Sequence, residues 1–233
     1  GNRYVKVLPI DEIPSGDYFW WSNAADESNM SLQREFDLSD VTGQATFSFW
    51  QWYDIEDDYD YAYLTASTDG ESWEMLKASN CTEDNPSGNN FGCGWTGSSD
   101  GWAEIEVDLS AYAGQKVTLR FDYVTDAAVN SHGMVLDDFK LEAIGYTDDV
   151  ESGDGGWTSQ GFARIQNILP QSYAISVVRY SNEIQVEHFF VNGDTPLQIE
   201  LSKSPAREKI IIIISGTTFY TRQKTDYQLL FGE

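Results

Sequence analysis

Basic residues are scarce in this chain: 14 lysines and arginines stand against 38 aspartates and glutamates, a formal charge of −24. A field of that sign repels nucleic acid and anionic membrane surfaces and gathers cations, which excludes nucleic-acid binding. Long apolar runs are missing too. The longest, IIIII at 210–214 after Arg207-Glu208-Lys209, has the length of a strand, well short of the roughly 20 apolar residues a membrane helix needs. No signal-peptide pattern is present, and an opening at Gly1 fits an export leader removed before this residue.

Histidine is limited to His132 and His188, and neither belongs to an HExxH motif: Glu187 precedes His188, but position 191 is a valine. A zinc-protease centre cannot be assembled from them. GSSDG at 97–101 has GxSxG spacing, yet a nucleophile elbow needs a strand before it and a helix after it. Here the strand-like AEIEVDL follows, so Ser99 is not expected to act as a nucleophile. Paired carboxylates could suit glycoside hydrolysis, but that chemistry also needs a cleft and a raised pKa. The chain is therefore expected not to be an enzyme by itself. Only two cysteines occur, Cys81 and Cys93, bracketing TEDNPSGNNFG. A disulfide closing so polar a loop would add roughly 3 kcal/mol in the chain-entropy model and would mark an oxidising, exported compartment. Two free thiols in a reduced cytosol are the competing reading.

Aromatic residues, by contrast, are plentiful at 14%, enough with the aliphatics to build a packed core. Alternating β-branched and aromatic runs with turn signals about every 8–12 residues predict strands throughout. They fall at 3–9, 17–22, 30–37, 44–54, 59–68, 72–77, 103–109, 115–125, 134–143, 162–168, 172–180, 184–191, 196–202, 209–215 and 225–231. Turns are expected at Thr68-Asp69-Gly70, Ala113-Gly114, Ser131-His132-Gly133 and Asn192-Gly193-Asp194, and one helical turn within DLSAYAG at 108–114. The class is all-β, an antiparallel sandwich or jelly roll. Glycine and acid density rise in YTDDVESGDGGW at 146–157, which places one sandwich at 1–145 and a smaller β-sandwich domain at 146–233. A single continuous sandwich is the alternative.

The stretch YDIEDDYDYAYL at 53–64 crowds five carboxylates into seven positions. Side chains alternate faces along a strand. Asp58 and Asp60 continue the face of Ala62, Leu64 and Ala66. In VLDDFKLEA, Asp137 shares parity with Val135, Phe139 and Leu141, while Asp138 points out. A lone buried carboxylate is costly unless neutralised, hydrogen-bonded or bound to a cation. Bases are few, and calcium takes six to eight oxygens, carbonyls included. Calcium is therefore the expected cofactor, with Asp60 and Asp137 as core ligands and Asp54, Glu56, Asp58 and Asp126 to complete the shell. A solvated acidic turn with Asp137 capping amides is the competing reading. The acids Asp148, Asp149, Glu151 and Asp154 read as a solvent-exposed linker before a second ion site. Among the eight tryptophans, Trp50 and Trp52 share a face opposite Phe47 and Phe49. Packing is their main expected use and stacking on sugar rings the alternative.

The blocks WWSNAADESNMSLQREFDLS, WYDIEDDYDYAYLTASTDGESW and DLSAYAGQKVTLRFDYVTDAAVNSHGMVLDDFKL resemble the non-catalytic region of immune inhibitor A-type secreted metallopeptidases, which contains a MAM-like β-sandwich. The likeness continues through DDVESGDGGWTSQGF and SGTTFYTRQKTDYQ. It implies a bacterial, exported chain at the cell surface or beyond it, with calcium-stabilised β domains downstream of a zinc protease domain. It also places ligands in the DYDYAY and LDDF blocks. The departure is the missing protease domain. The resemblance thus implies a structural or interaction module, partnered by a protease or by its own copies, and a glycan-binding module is the rival. Finally, RYVKVLPI at 3–10 alternates like a strand in need of a sheet. It either closes its own sandwich or adds to the edge of a neighbouring copy, giving a filament.

Overall fold

The computed structural model describes residues 3–180, 182–193, 195–200, 209–224 and 226–231. In chain order the strands are β1 (Tyr4–Lys6), β2 (Tyr18–Trp21), β3 (Asn29–Asp37), β4 (Thr46–Asp54), β5 (Tyr61–Ser67), β6 (Glu74–Met75), β7 (Ala103–Asp108) and β8 (Lys116–Val124). They continue as β9 (Gly133–Leu141), β10 (Tyr146–Asp148), β11 (Thr158–Gln160), β12 (Ala163–Gln166), β13 (Ile168–Pro170), β14 (Ser172–Tyr180), β15 (Ile184–Asn192) and β16 (Lys209–Gly216). The helical turn expected in DLSAYAG is a 3-10 turn at Ser110–Tyr112. No helix among the described residues is long and apolar enough to cross a membrane.

The chain divides into two compact units, 10–166 and the pair of segments 1–9 with 167–233. The first is an antiparallel sandwich. One sheet runs β12-β2-β9-β4-β7 with β10 on the far part of β9, and the other runs β11-β3-β8-β5-β6. Alternation explains its core: Phe47 and Phe49 of β4, Leu119 and Phe121 of β8, and Phe139 of β9 are all no more than 1% exposed. Phe121 meets Phe49 edge-on with centroids 4.9 Å apart, a favoured aromatic geometry.

The boundary expected at 146–157 is not where the sandwich ends. Trp157 lies 3% exposed with its ring 4.6 Å from that of Phe139, and β10, β11 and β12 pair with β9, β3 and β2. The glycine–acid stretch folds back on itself instead of linking domains. Asp148 accepts from the Val150 amide and Asp154 from the Gly156 amide, which are local side-chain turns. Glu151 accepts from the amides of Asp17 and Tyr18, so this loop is a hydrogen-bonded part of the sandwich.

In the second unit β14 lies between β15 and β16 in a three-stranded antiparallel sheet. The strand expected at the amino end exists, but β1 pairs with β13 of the same chain, Val5 opposite Leu169. It therefore joins the second unit rather than closing the first sandwich, and its partner is intramolecular. The IIIII run forms outer strand β16, and Ile213 is 50% exposed. The strands expected at 196–202 and 225–231 are not seen at 196–200 or 226–231, and 201–202 and 225 lie outside the described residues, as does Asp194 of the last turn.

Candidate metal centre

One end of the sandwich is closed by the turn between β4 and β5. This turn is held by backbone and hydroxyl contacts: the Ile55 amide donates to the Gly97 carbonyl at 2.8 Å, and that of Asp60 to the Glu56 carbonyl at 3.2 Å. Thr96 accepts from the Asp58 amide and donates to the Glu56 carbonyl. Asp58 sits at φ 67°, a left-handed conformation that aspartate tolerates better than most residues. The chain then enters β5 with Asp60 turned inward, 1% exposed.

Facing it is the segment leaving β8. The Asp126 amide donates to Asp60 Oδ1 at 2.8 Å, and the Tyr123 hydroxyl to Oδ2 at 3.4 Å. Thr125 donates to the Ala25 carbonyl and accepts from the Ser28 amide, which anchors this segment to the approach to β3. Carboxylate oxygens of Glu56, Asp60 and Asp126 thereby come within 4.8 Å of one another. Glu56 Oε2 is fully buried and has no hydrogen-bond partner.

Three like charges in a poorly solvated corner carry an electrostatic cost. Burial pushes the Asp60 carboxyl up to about 6, with the Asp126 and Glu56 charges adding to it against the Asp126 amide. Glu56 is also raised, first by burial and then by Asp126 and Asp26. Hard oxygen donors of this kind suit calcium, and the orphaned Oε2 is the observation on which these residues fit such an ion.

The other expected ligands lie apart from this group. Asp54, at the end of β4, meets His132 Nδ1 at 2.5 Å. Asp58 does not join the three acids either. Asp137 is buried as its parity suggested, at 0% exposure, but elsewhere. β9 bulges: Asp138 has φ 48°, and the pairing with β4 shifts between Ser48 and Trp50. Met134, Leu136, Phe139 and Leu141 all line the core, so one residue is gained between 136 and 139 and Asp137 falls on the outer side, opposite Trp50. Its Oδ1 accepts from the Asp138 amide at 2.8 Å, and Oδ2 is buried without a partner. Burial pushes this carboxyl up to about 8.

The remaining sequence candidates have structural partners. Ser99 Oγ donates to the Gly101 carbonyl at 2.7 Å and accepts from the Tyr53 amide. Cys81 and Cys93 are joined in a disulfide with Cα atoms 5.2 Å apart. Trp20, Trp21, Trp95 and Trp157 are buried, and Trp73 stacks under the Arg120 guanidinium at 3.7 Å. Trp50 and Trp52 are half-buried. Trp50 lines an open groove of about 360 Å³ with Ser48, Glu104, Asp138, Lys140 and Thr147. Sequence reasoning missed this groove, because its walls come from β4, β7, β9 and β10 and no single stretch carries its pattern.

A protein-family model described as immune inhibitor A-like, MAM domain, matches residues 6–167. The pre-pro-metalloprotease PrtV of Vibrio cholerae is 32% identical over 170 residues, which cover 70% of this chain and 18% of that protein. Immune inhibitor A of Bacillus thuringiensis subsp. alesti is 30% identical over 141 residues, 58% of this chain and 19% of that protein. Bacillopeptidase F of Bacillus subtilis is 29% identical over 120 residues, 51% of this chain and 7% of that protein. The chain spans less than a fifth of the length of each of these relatives.

Proposed function

Because the chain belongs to the family of immune inhibitor A-like MAM domains, we propose that it is an exported, non-catalytic accessory module of a metallopeptidase whose sandwich is fastened by a calcium ion. The observation that carries the calcium reading is the convergence of Glu56, Asp60 and Asp126 around a buried carboxylate oxygen that lacks a partner. Calcium there would offset three like charges and tie the β4–β5 turn to the segment leaving β8. The protein side of the arrangement is already set: the Asp126 amide and Tyr123 hydroxyl orient Asp60, and the Thr125 contacts hold the segment in place. The Cys81–Cys93 disulfide supports an oxidising compartment, and the accessory role rests on the metalloprotease relative from Vibrio cholerae.

Thermal melting with added calcium and with a chelator tests the reading. An ion that binds only the native chain stabilises it by about 2.7 kcal/mol at a hundredfold excess over its Kd. The midpoint should rise with calcium, and Asp60→Asn and Glu56→Gln should each abolish the rise. A midpoint indifferent to calcium overturns the reading.

The Trp50 groove favours a second reading, as a carbohydrate-binding module. A half-exposed indole beside Glu104, Asp138 and Thr147 supplies an apolar platform with hydrogen-bonding groups at its rim. Glycan-array binding lost in Trp50→Ala would support it, and an array without hits would count against it.

A further inference from the structure

The groove beside Trp50 has a charge pattern as well as an aromatic platform. Trp50 stands on the outer face of β4, with Glu104 of β7 directly across on one side and Asp137 of β9 on the other. Glu104 is exposed, and Asp138, Asp148 and Asp149 complete the groove's acids. Four carboxylates thus line a space of about 360 Å³, near the lower end of ligand sites, which start at roughly 300 Å³. The groove's one lysine is Lys140, and its ammonium is already held by Glu142.

The acids are fixed by neutral donors. Asp138 Oδ1 accepts from Ser15 Oγ at 2.7 Å. Asp148 accepts from the Val150 amide and the Tyr146 hydroxyl, and Asp149 Oδ1 from the Glu151 amide at 3.2 Å. These contacts orient the carboxylates and compensate none of their charge. Asp137, next to the indole's strand, adds a fully buried Oδ2 that has no hydrogen-bond partner. A flat aromatic ring among oriented acids, with an acceptor left unused beside it, calls for a ligand that is both apolar-faced and cationic.

We propose that this groove takes a sugar carrying a free amine, its ring on the Trp50 indole and its ammonium toward Glu104. The inference rests on the sugar reading of the same groove and narrows it. A neutral sugar leaves the four like charges uncompensated, and an acidic or sulfated one adds to them. An ammonium donates charge-assisted hydrogen bonds to carboxylates and is drawn to the face of an aromatic ring. The hydroxyls of Ser48 and Thr147 are placed to meet those of the sugar. At longer range the net charge of −24 gathers the same class of ligand and turns away anionic glycans.

Isothermal titration calorimetry at about pH 5.5, where the sugar amine is protonated and exposed carboxylates are ionised, tests it. The probes are a glucosamine pentamer, its N-acetylated counterpart and cellopentaose. The free-amine form should bind about tenfold or more tightly than the acetylated one. Its affinity should fall as salt rises, while that of cellopentaose should hold. Glu104→Gln and Asp149→Asn keep shape at exposed positions, and each should narrow the preference for the amine several-fold. Circular dichroism checks their fold, and if one variant unfolds the other decides. Equal affinity for the three sugars overturns the inference and leaves the sugar reading standing, as does a preference that both variants leave intact. Pentalysine that displaces the glucosamine pentamer at equal concentration overturns it too, since charge alone is then being read. Absence of binding by all three overturns the inference and the sugar reading together.

Discussion

Asp60 and Asp137 are both buried aspartates, yet they have different consequences for pH. Burial raises Asp60 to about 6 from an ordinary value of 3.8, so the folded chain holds that proton more firmly than the unfolded one. Its contribution to stability is full at acid pH, falls as pH rises from about 4 to about 6, and is lost above that. Calcium competes with the same proton, so the calcium-induced rise in melting midpoint should grow as pH climbs through this window. Melts at pH 5 and pH 7 with and without calcium check both signs. For Asp137, raised to about 8 by burial with the Asp138 charge adding, the loss of stability extends up to about pH 8. Asp137→Asn should therefore raise the midpoint at pH 8 and above, by about 2–4 °C for each kcal/mol recovered, and should leave the calcium response intact. A calcium response abolished by this substitution would return Asp137 to the ligand set.

Individual strands decided how far the sequence could be read. On β5 the alternation is unbroken from Ala62 through Ala66, so parity carried back to Asp60 places it correctly inside. On β9 the same reasoning put Asp137 in the core with Phe139, and one extra residue at the bulge moved it to the outer side. A bulge is set by backbone geometry at Asp138, with φ 48°, and has no signature in hydrophobic pattern. The convergence of Glu56 and Asp126 on Asp60 depends on strand pairing between β5 and β8, which joins residues far apart in sequence. All three stood among the six acids expected in one calcium shell, and nothing in the sequence separated them from Asp54, Asp58 and Asp137. Likewise the short strands β10 and β11 were missed, because YTD and TSQ are too polar and brief to alternate visibly. Trp157 tests the resulting boundary. Trp157→Ala should cost about 3–5 kcal/mol as a core cavity, and a fragment of residues 10–166 should melt cooperatively where one of residues 10–145 should not. Equal behaviour of the two fragments in calorimetry would restore a boundary at 145.

Across the whole molecule the charge of −24 works against compactness by self-repulsion. Monovalent salt should raise the melting midpoint of the calcium-free chain, and the rise should be larger at pH 8 than at pH 5, where carboxylates begin to be neutralised. A midpoint that falls with added salt would refute this. The route of the chain matters at the same scale. It leaves the second unit after residue 9 and returns to it at Asn167, whose carbonyl accepts from the Val7 amide at 2.9 Å. The exit and the return are thus clasped by the same few hydrogen bonds. Tension applied between residues 3 and 171 falls on the β1–β13 ribbon, and residues 10–166 form a closed bight that carries none until the ribbon shears.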